Sequence, residues 1–134
     1  MRKLLKNCDI LFGEPSEGQV IRNGYLGIDG AVIESIGQDK PEGSYDEIKD
    51  MKGCLLMPGL INCHCHAPMV LLRGVGSDLP LQEWLFDRIM PIEAMLKEED
   101  IIAGTQLAVM EMLAGGTTSF TDMYDYPAQT AQVV

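Results

Sequence analysis

His64 and His66 are the only histidines in a chain of 134 residues, and they stand two apart in the run Leu60-Ile61-Asn62-Cys63-His64-Cys65-His66. Residues i and i+2 of an extended strand project from the same face, so this spacing predicts two imidazoles side by side, with Cys63 and Cys65 on the opposite face. Two neutral imidazole nitrogens on a rigid strand suit a shared divalent metal such as zinc or iron. The spacing alone is equally met by two polar histidines at a strand end. A four-ligand Cys63-His64-Cys65-His66 cluster is disfavoured, because consecutive strand residues alternate faces and structural zinc sites separate their ligand pairs by longer loops. The two cysteines are expected to pack behind the strand as small apolar side chains.

Other residue types with chemical potential are Trp84, Glu93, Arg73 and Asp122. Taken singly, each has an ordinary reading: a core indole, a surface carboxylate, a solvated guanidinium and a structural hydrogen-bond acceptor.

The elements that must position these groups follow from the pattern. Short apolar stretches at 4–12, 18–22, 25–28, 31–36, 48–49 and 54–57, separated by turn residues, predict the strands of a small β unit. Asn23-Gly24 and Asp29-Gly30 are tight-turn dipeptides, and the second predicts a hairpin between Leu26-Gly27-Ile28 and Val32-Ile33. Beyond Met57 the texture changes to a buried strand, a glycine-containing loop over 68–79, a short helix over 81–90 stopped by Pro91, and a longer helix over 98–114. That longer helix carries Ile102, Val109, Met110 and Leu113 and ends at Gly115-Gly116. A second strand over 117–123 and the start of a further helix at Pro127 complete the α/β pattern, with the domain boundary near residue 57.

With 46% hydrophobic residues the chain has material for one core. Its net charge of -10 repels phosphate backbones and anionic bilayers, so neither nucleic acid nor membrane is an expected partner. Asn7 and Asp9 interrupt the N-terminal apolar stretch before it can form a signal or membrane-spanning segment. The four cysteines are then expected to be reduced thiols in a cytoplasmic protein.

Met57-Pro58-Gly59-Leu60-Ile61-Asn62-Cys63-His64-Cys65-His66 resembles the first-strand signature of the amidohydrolase superfamily: Pro-Gly, four residues, then His-X-His. The resemblance narrows through His66-Ala67-Pro68-Met69, Leu71-Leu72-Arg73-Gly74, Leu81-Gln82-Glu83-Trp84-Leu85, Pro91-Ile92-Glu93 and Thr121-Asp122-Met123-Tyr124. These segments are similar to the branch of methylthioadenosine/S-adenosylhomocysteine deaminases and their chlorohydrolase relatives. Lys97 departs from the threonine or serine that commonly caps the following helix there.

The resemblance implies an α/β fold in which residues 57–134 are the first two strands of a (β/α)8 TIM barrel, preceded at 1–56 by a small β-sandwich-like domain. It implies one divalent metal, zinc or alternatively ferrous iron, with His64 and His66 as its first two ligands. Glu93 would accept hydrogen bonds from ribose hydroxyls and Trp84 would line the same pocket. The implied reaction is deamination of an adenosine-type nucleoside by metal-activated water, releasing ammonia. The family completes its site with a histidine and an aspartate from later strands, and uses a further glutamate and histidine for proton transfer. A barrel needs about 250 residues, so the expectation is a fragment that is inactive alone, from a homo-oligomeric parent. The alternatives are a parent acting on guanine, cytosine or a triazine, and a non-catalytic metal-binding or interaction module.

Overall fold

Aliphatic residues at short intervals in Arg2–Phe12 and Gln19–Asp29 form two long antiparallel strands, β1 and β2, in the computed structural model, which describes residues 1–13 and 17–134. The described chain divides into two compact units, Met1–Pro58 and Gly59–Val134. Among the described residues no helix is long and apolar enough to cross a membrane.

In the first unit, β3 (Val32–Gly37) folds back on β2 through a two-residue turn, Gly30-Ala31, closed by the pair Asp29↔Val32. Gly30 has φ 58°, the left-handed conformation that glycine adopts without penalty. The expected hairpin is present, its loop one residue later than the Asp29-Gly30 dipeptide. β4 (Glu47–Asp50) and β5 (Leu55–Leu56) pair parallel to β1, and the order is β3-β2-β1-β4 with β5 also on β1. Cys8, Ile10 and Leu26 form the core cluster, packed by Leu5, Ile21, Ile28, Met51 and Leu56.

The turn expected at Asn23-Gly24 does not form, and β2 runs through it. Asn7 and Asn23 take left-handed φ values of 59° and 51° where the β1–β2 register shifts. Asparagine tolerates this conformation, so a bulge replaces the turn. The Asn23 N–H donates to Asp9 Oδ1 at 3.0 Å. A Cβ at Gly24 would meet Ile21 Cγ2 at 2.7 Å and the Gly37 carbonyl at 2.9 Å, so only glycine lets the strands approach there.

The second unit begins with β6 (Leu60–Cys65), followed by a 3-10 helix (Ala67–Leu72), α1 (Leu81–Glu83), a π-helical segment (Trp84–Ile89) and α2 (Met90–Glu93). Then come α3 (Glu98–Ala114), β7 (Thr117–Asp122) and α4 (Pro127–Ala131). β6 and β7 pair in parallel. The helix expected to stop at Pro91 continues through it to Glu93. Proline lacks an N–H and its ring crowds the carbonyl four residues back. The preceding wide turn, in which the Met90 N–H bonds to the Leu85 carbonyl, shifts the carbonyl positions ahead of the proline.

α3 occupies the expected span, but its buried face is Ile101, Gly104, Thr105 and Ala108. Met110 and Leu113 are 67% and 61% exposed, so the Met110–Leu113 side is not the packed one. The contact is set by Gly104, where a Cβ would lie 2.7 Å from the Pro68 carbonyl oxygen and 3.0 Å from its Cα. Lys97 retains half of a helix cap without a side-chain acceptor: its backbone N–H donates to Asp100 Oδ2 at 2.9 Å. At the entrance to β6, a Cβ on Gly59 would lie 2.0 Å from Thr118 Oγ1, a packing reason for glycine after Pro58.

Candidate active site

β6 delivers His64 near its carboxyl end, and His66 follows Cys65 as the first residue beyond the strand. The His64 N–H donates to Asn62 Oδ1 at 3.2 Å, and the His66 carbonyl accepts from the Met69 N–H at 3.0 Å, which turns the chain into the 3-10 helix. The two imidazole centroids lie 5.2 Å apart with ring planes tilted by 58°, so the predicted pairing of the rings is present. His64 is exposed and His66 half-buried.

The cysteines differ from their expected packing. Cys63 is exposed and Cys65 half-buried, because β6 pairs only with β7 among the described residues and its register slips between Asn62 and Cys65. Burial, and then the charge of Asp122, raises the Cys65 thiol above its ordinary value and favours the neutral form.

Glu93 ends α2, and its Oε1 accepts a 2.7 Å hydrogen bond from the hydroxyl of Tyr124, just past β7. Tyr124 also sets its ring edge-on to His66, with centroids 6.1 Å apart and planes at 87°. Burial, reinforced by the Glu93 acceptor, pushes the Tyr124 hydroxyl far above its ordinary range, so it remains a donor. A continuous line of contacts, Glu93–Tyr124–His66–His64, therefore joins three elements of the second unit.

Tyr124 is the member of this line that residue patterns did not single out. The usable signal was its place just beyond the carboxyl end of a strand, where side chains of strand-and-helix folds gather around ligands. Asp122 supports it: Oδ1 accepts the Tyr124 N–H at 3.1 Å, while Oδ2 is buried without a partner among the described residues.

Trp84 lies on a different path. Its Nε1–H donates to the Val75 carbonyl at 3.0 Å, and a Cβ on Gly76 would meet its Cδ1 at 3.1 Å. The indole thus fixes the 73–80 loop. Arg73 is engaged with Glu111 in a forked pair at 3.1 and 2.6 Å, and Glu111 is correspondingly held below the usual carboxylate range.

A cavity of about 410 Å³ includes His66, Cys65, Asn62, Arg73 and Glu111. A larger one, about 620 Å³, runs along β7 and α4 and reaches the site only at Asp122 and Tyr124. Among the described residues no three His, Cys, Asp or Glu side chains come close enough together to hold an ion. His64 and His66 fit a zinc or iron centre as a pair of nitrogen donors, half of a tetrahedral set.

Residues 55–133 match the amidohydrolase family. The whole chain is 47% identical to a 5-methylthioadenosine/S-adenosylhomocysteine deaminase of Syntrophomonas wolfei, over 31% of that protein's length. It is 45% identical, over 98% of the chain, to a 5'-deoxyadenosine deaminase of Methanosarcina acetivorans, covering 30% of the latter. An adenosine deaminase from Xanthomonas campestris, solved with bound zinc, superposes on 98% of the chain with a TM-score of 0.86 at 33% identity, and the match covers 30% of that structure. The chain thus spans about a third of the length of the curated relatives it matches.

Proposed function

Because the chain belongs to the amidohydrolase family, we propose that it is the N-terminal part of a metal-dependent deaminase acting on an adenosine-type nucleoside, with methylthioadenosine and S-adenosylhomocysteine as first substrates to test. The observation that carries this reading is the Glu93–Tyr124–His66–His64 line, which links a carboxylate able to accept sugar hydroxyls, through Tyr124, to two neighbouring imidazoles. The names of the relatives, deaminases of methylthioadenosine, S-adenosylhomocysteine and 5'-deoxyadenosine, support the same substrate class. Within this reading, β6 and β7 are the first two strands of a (β/α)8 barrel with the histidines at its carboxyl-terminal rim. The sheet of Met1–Pro58 is part of a small β-sandwich.

His64 and His66 would hold the metal, zinc in the first instance and ferrous iron in the second. When bound, it supplies the Lewis acidity that makes water nucleophilic near neutral pH. Water adds at the amine-bearing ring carbon, the exocyclic C–N bond breaks, and ammonia leaves as an oxo group forms. Glu93 binds the sugar hydroxyls and Trp84 lines the nucleoside pocket through the loop it holds. Two imidazoles are half a site, so the 134-residue chain is proposed to be inactive by itself. The parent is proposed to be cytoplasmic and homo-oligomeric.

The test is ammonia release by the zinc-loaded full-length protein carrying this sequence, assayed on methylthioadenosine, S-adenosylhomocysteine, adenosine, guanine, cytosine and a triazine. Turnover confined to the nucleosides is the expected result. Turnover confined to guanine, cytosine or the triazine moves the protein to another branch of the family, and activity on none of them overturns the reading. Ammonia release by the isolated 134-residue chain would refute its proposed inactivity.

A further inference from the structure

Tyr124 touches both Glu93 and His66 of the proposed site, and nothing in the proposed reaction requires it. Its position is tightly determined. The Met123 N–H bonds to the Cys65 carbonyl at 3.1 Å, and Asp122 Oδ1 accepts the Tyr124 N–H at 3.1 Å. The tyrosine therefore leaves β7 opposite the point where β6 gives way to His66. From there its ring lies edge-on to His66, and its hydroxyl reaches Glu93 Oε1 at 2.7 Å.

We propose that Tyr124 is a positioning residue for sugar recognition: its hydroxyl fixes the plane of the Glu93 carboxylate, and its ring ties that plane to the imidazole of His66. This rests on the reading of the site as that of a nucleoside deaminase. A carboxylate offers roughly four acceptor directions, and Tyr124 takes one on Oε1, leaving the others for two neighbouring hydroxyls. An unclamped glutamate at the end of a short helix would have to lose its side-chain freedom on binding, and the clamp removes that cost beforehand. The same clamp fixes the distance between the point where the sugar is held and the imidazole pair near which the base must react. A small misplacement there is costly to rate.

The experiment compares wild type, Tyr124→Phe and Tyr124→Met in the full-length, zinc-loaded protein. It measures steady-state kinetics and calorimetric binding with adenosine and its 2',3'-dideoxy counterpart. Phenylalanine keeps the ring against His66 and removes only the hydroxyl, so zinc content is expected to stay at the wild-type value and the thermal transition to fall by no more than the loss of one hydrogen bond allows. The preference for adenosine over the dideoxy compound is expected to fall about tenfold, mostly through KM. Methionine keeps an apolar body without a donor and serves should the phenylalanine protein fold poorly; the same fall is expected.

An unchanged preference in either folded variant overturns the proposal. Wild-type turnover with no preference between the two nucleosides also overturns it, and leaves the deaminase reading standing. Adenosine-selective binding that depends on Tyr124, without any ammonia release by wild type, has the opposite meaning: it supports the clamp and sinks the deaminase reading.

Discussion

The strand that organises the first unit and the strand that carries the histidines differ in how much of their burial this stretch of chain supplies. β1 pairs with β2, β4 and β5, and its Leu4, Cys8 and Ile10 are only 1%, 1% and 2% exposed. β6 pairs with β7, and its Leu60 and Ile61 are 50% and 68% exposed. The second unit is instead held by its helices: Ile89, Ile101 and Thr105 are almost wholly buried, and α3 rests directly on the 3-10 helix at Pro68. Within this stretch the first unit's sheet supplies its own core and no side chain of the proposed reaction, whereas β6 brings the histidines and leaves its apolar side chains for the later strands of the proposed barrel.

The comparison can be broken most decisively at the histidines. His64→Ala or His66→Ala in the full-length protein is expected to lower zinc affinity by at least about 100-fold, since removal of a group that merely supports a ligand already costs 10- to 100-fold. Unfolding of the metal-free protein should be nearly unchanged, because side chains at the carboxyl end of a barrel strand serve the site rather than the core. Zinc titration and urea unfolding measured on the same variants would decide it. A large loss of metal-free stability would show that the pair is structural. Leu4→Ala and Ile101→Ala should do the reverse, each costing about 2–5 kcal/mol of folding stability while leaving zinc affinity intact.

A finer contrast lies between two glycines. Gly104→Ala forces a methyl against the Pro68 backbone, at 2.7 Å from its carbonyl oxygen, and is expected to cost about 1–3 kcal/mol. Gly30→Ala meets nothing within 4 Å among the described residues and suffers only from its φ of 58°, so about 1 kcal/mol is expected. Comparable urea midpoints for the two variants would mean that α3 can move off the 3-10 helix.

Much of this arrangement was legible because its causes are local. The strand at Leu60–Cys65, the helix over Glu98–Ala114 and the adjacency of His64 and His66 all follow from spacing within a few residues. The misreadings share a different cause. The continuity of β2 through Asn23 depends on Asp9, 14 residues away, whose carboxylate accepts the Asn23 N–H at the bulge. The helix survives Pro91 because the turn before it widens, a choice that no propensity at Pro91 announces. Tyr124 was legible only as part of a motif string, because its partner Glu93 is 31 residues earlier and the hydrogen bond exists only once β7 and α2 are both in place. Which face of α3 is buried likewise depended on a glycine meeting a proline from a separate element.

The smallest expected effects separate the units by pH. Asp9 is held below the usual carboxylate range, first by the Asn23 N–H and then by Arg22. Glu111 is held below it by Arg73. A depressed folded-state pKa means that the stabilisation is fully present above the unfolded values, about 3.9 for Asp and about 4.3 for Glu. It is lost as pH falls through the lower folded-state value, where the folded carboxylate takes up its proton. Asp9→Asn and Glu111→Gln should therefore each flatten the acid limb of the stability curve: each loss is small, is fully present at pH 7, and vanishes as pH falls below the folded-state value. The two should differ in salt dependence. The largest contribution at Asp9 is a backbone hydrogen bond at a bulge, which added salt leaves intact. The Glu111 contribution comes from an exposed ion pair, which salt screens. Urea midpoints at low and high ionic strength at pH 7, where both contributions are fully present, should show the wild-type-minus-Glu111→Gln difference shrinking with salt while the Asp9→Asn difference persists. Equal shrinkage would mean that Arg22, rather than the bulge in β2, holds the Asp9 carboxylate.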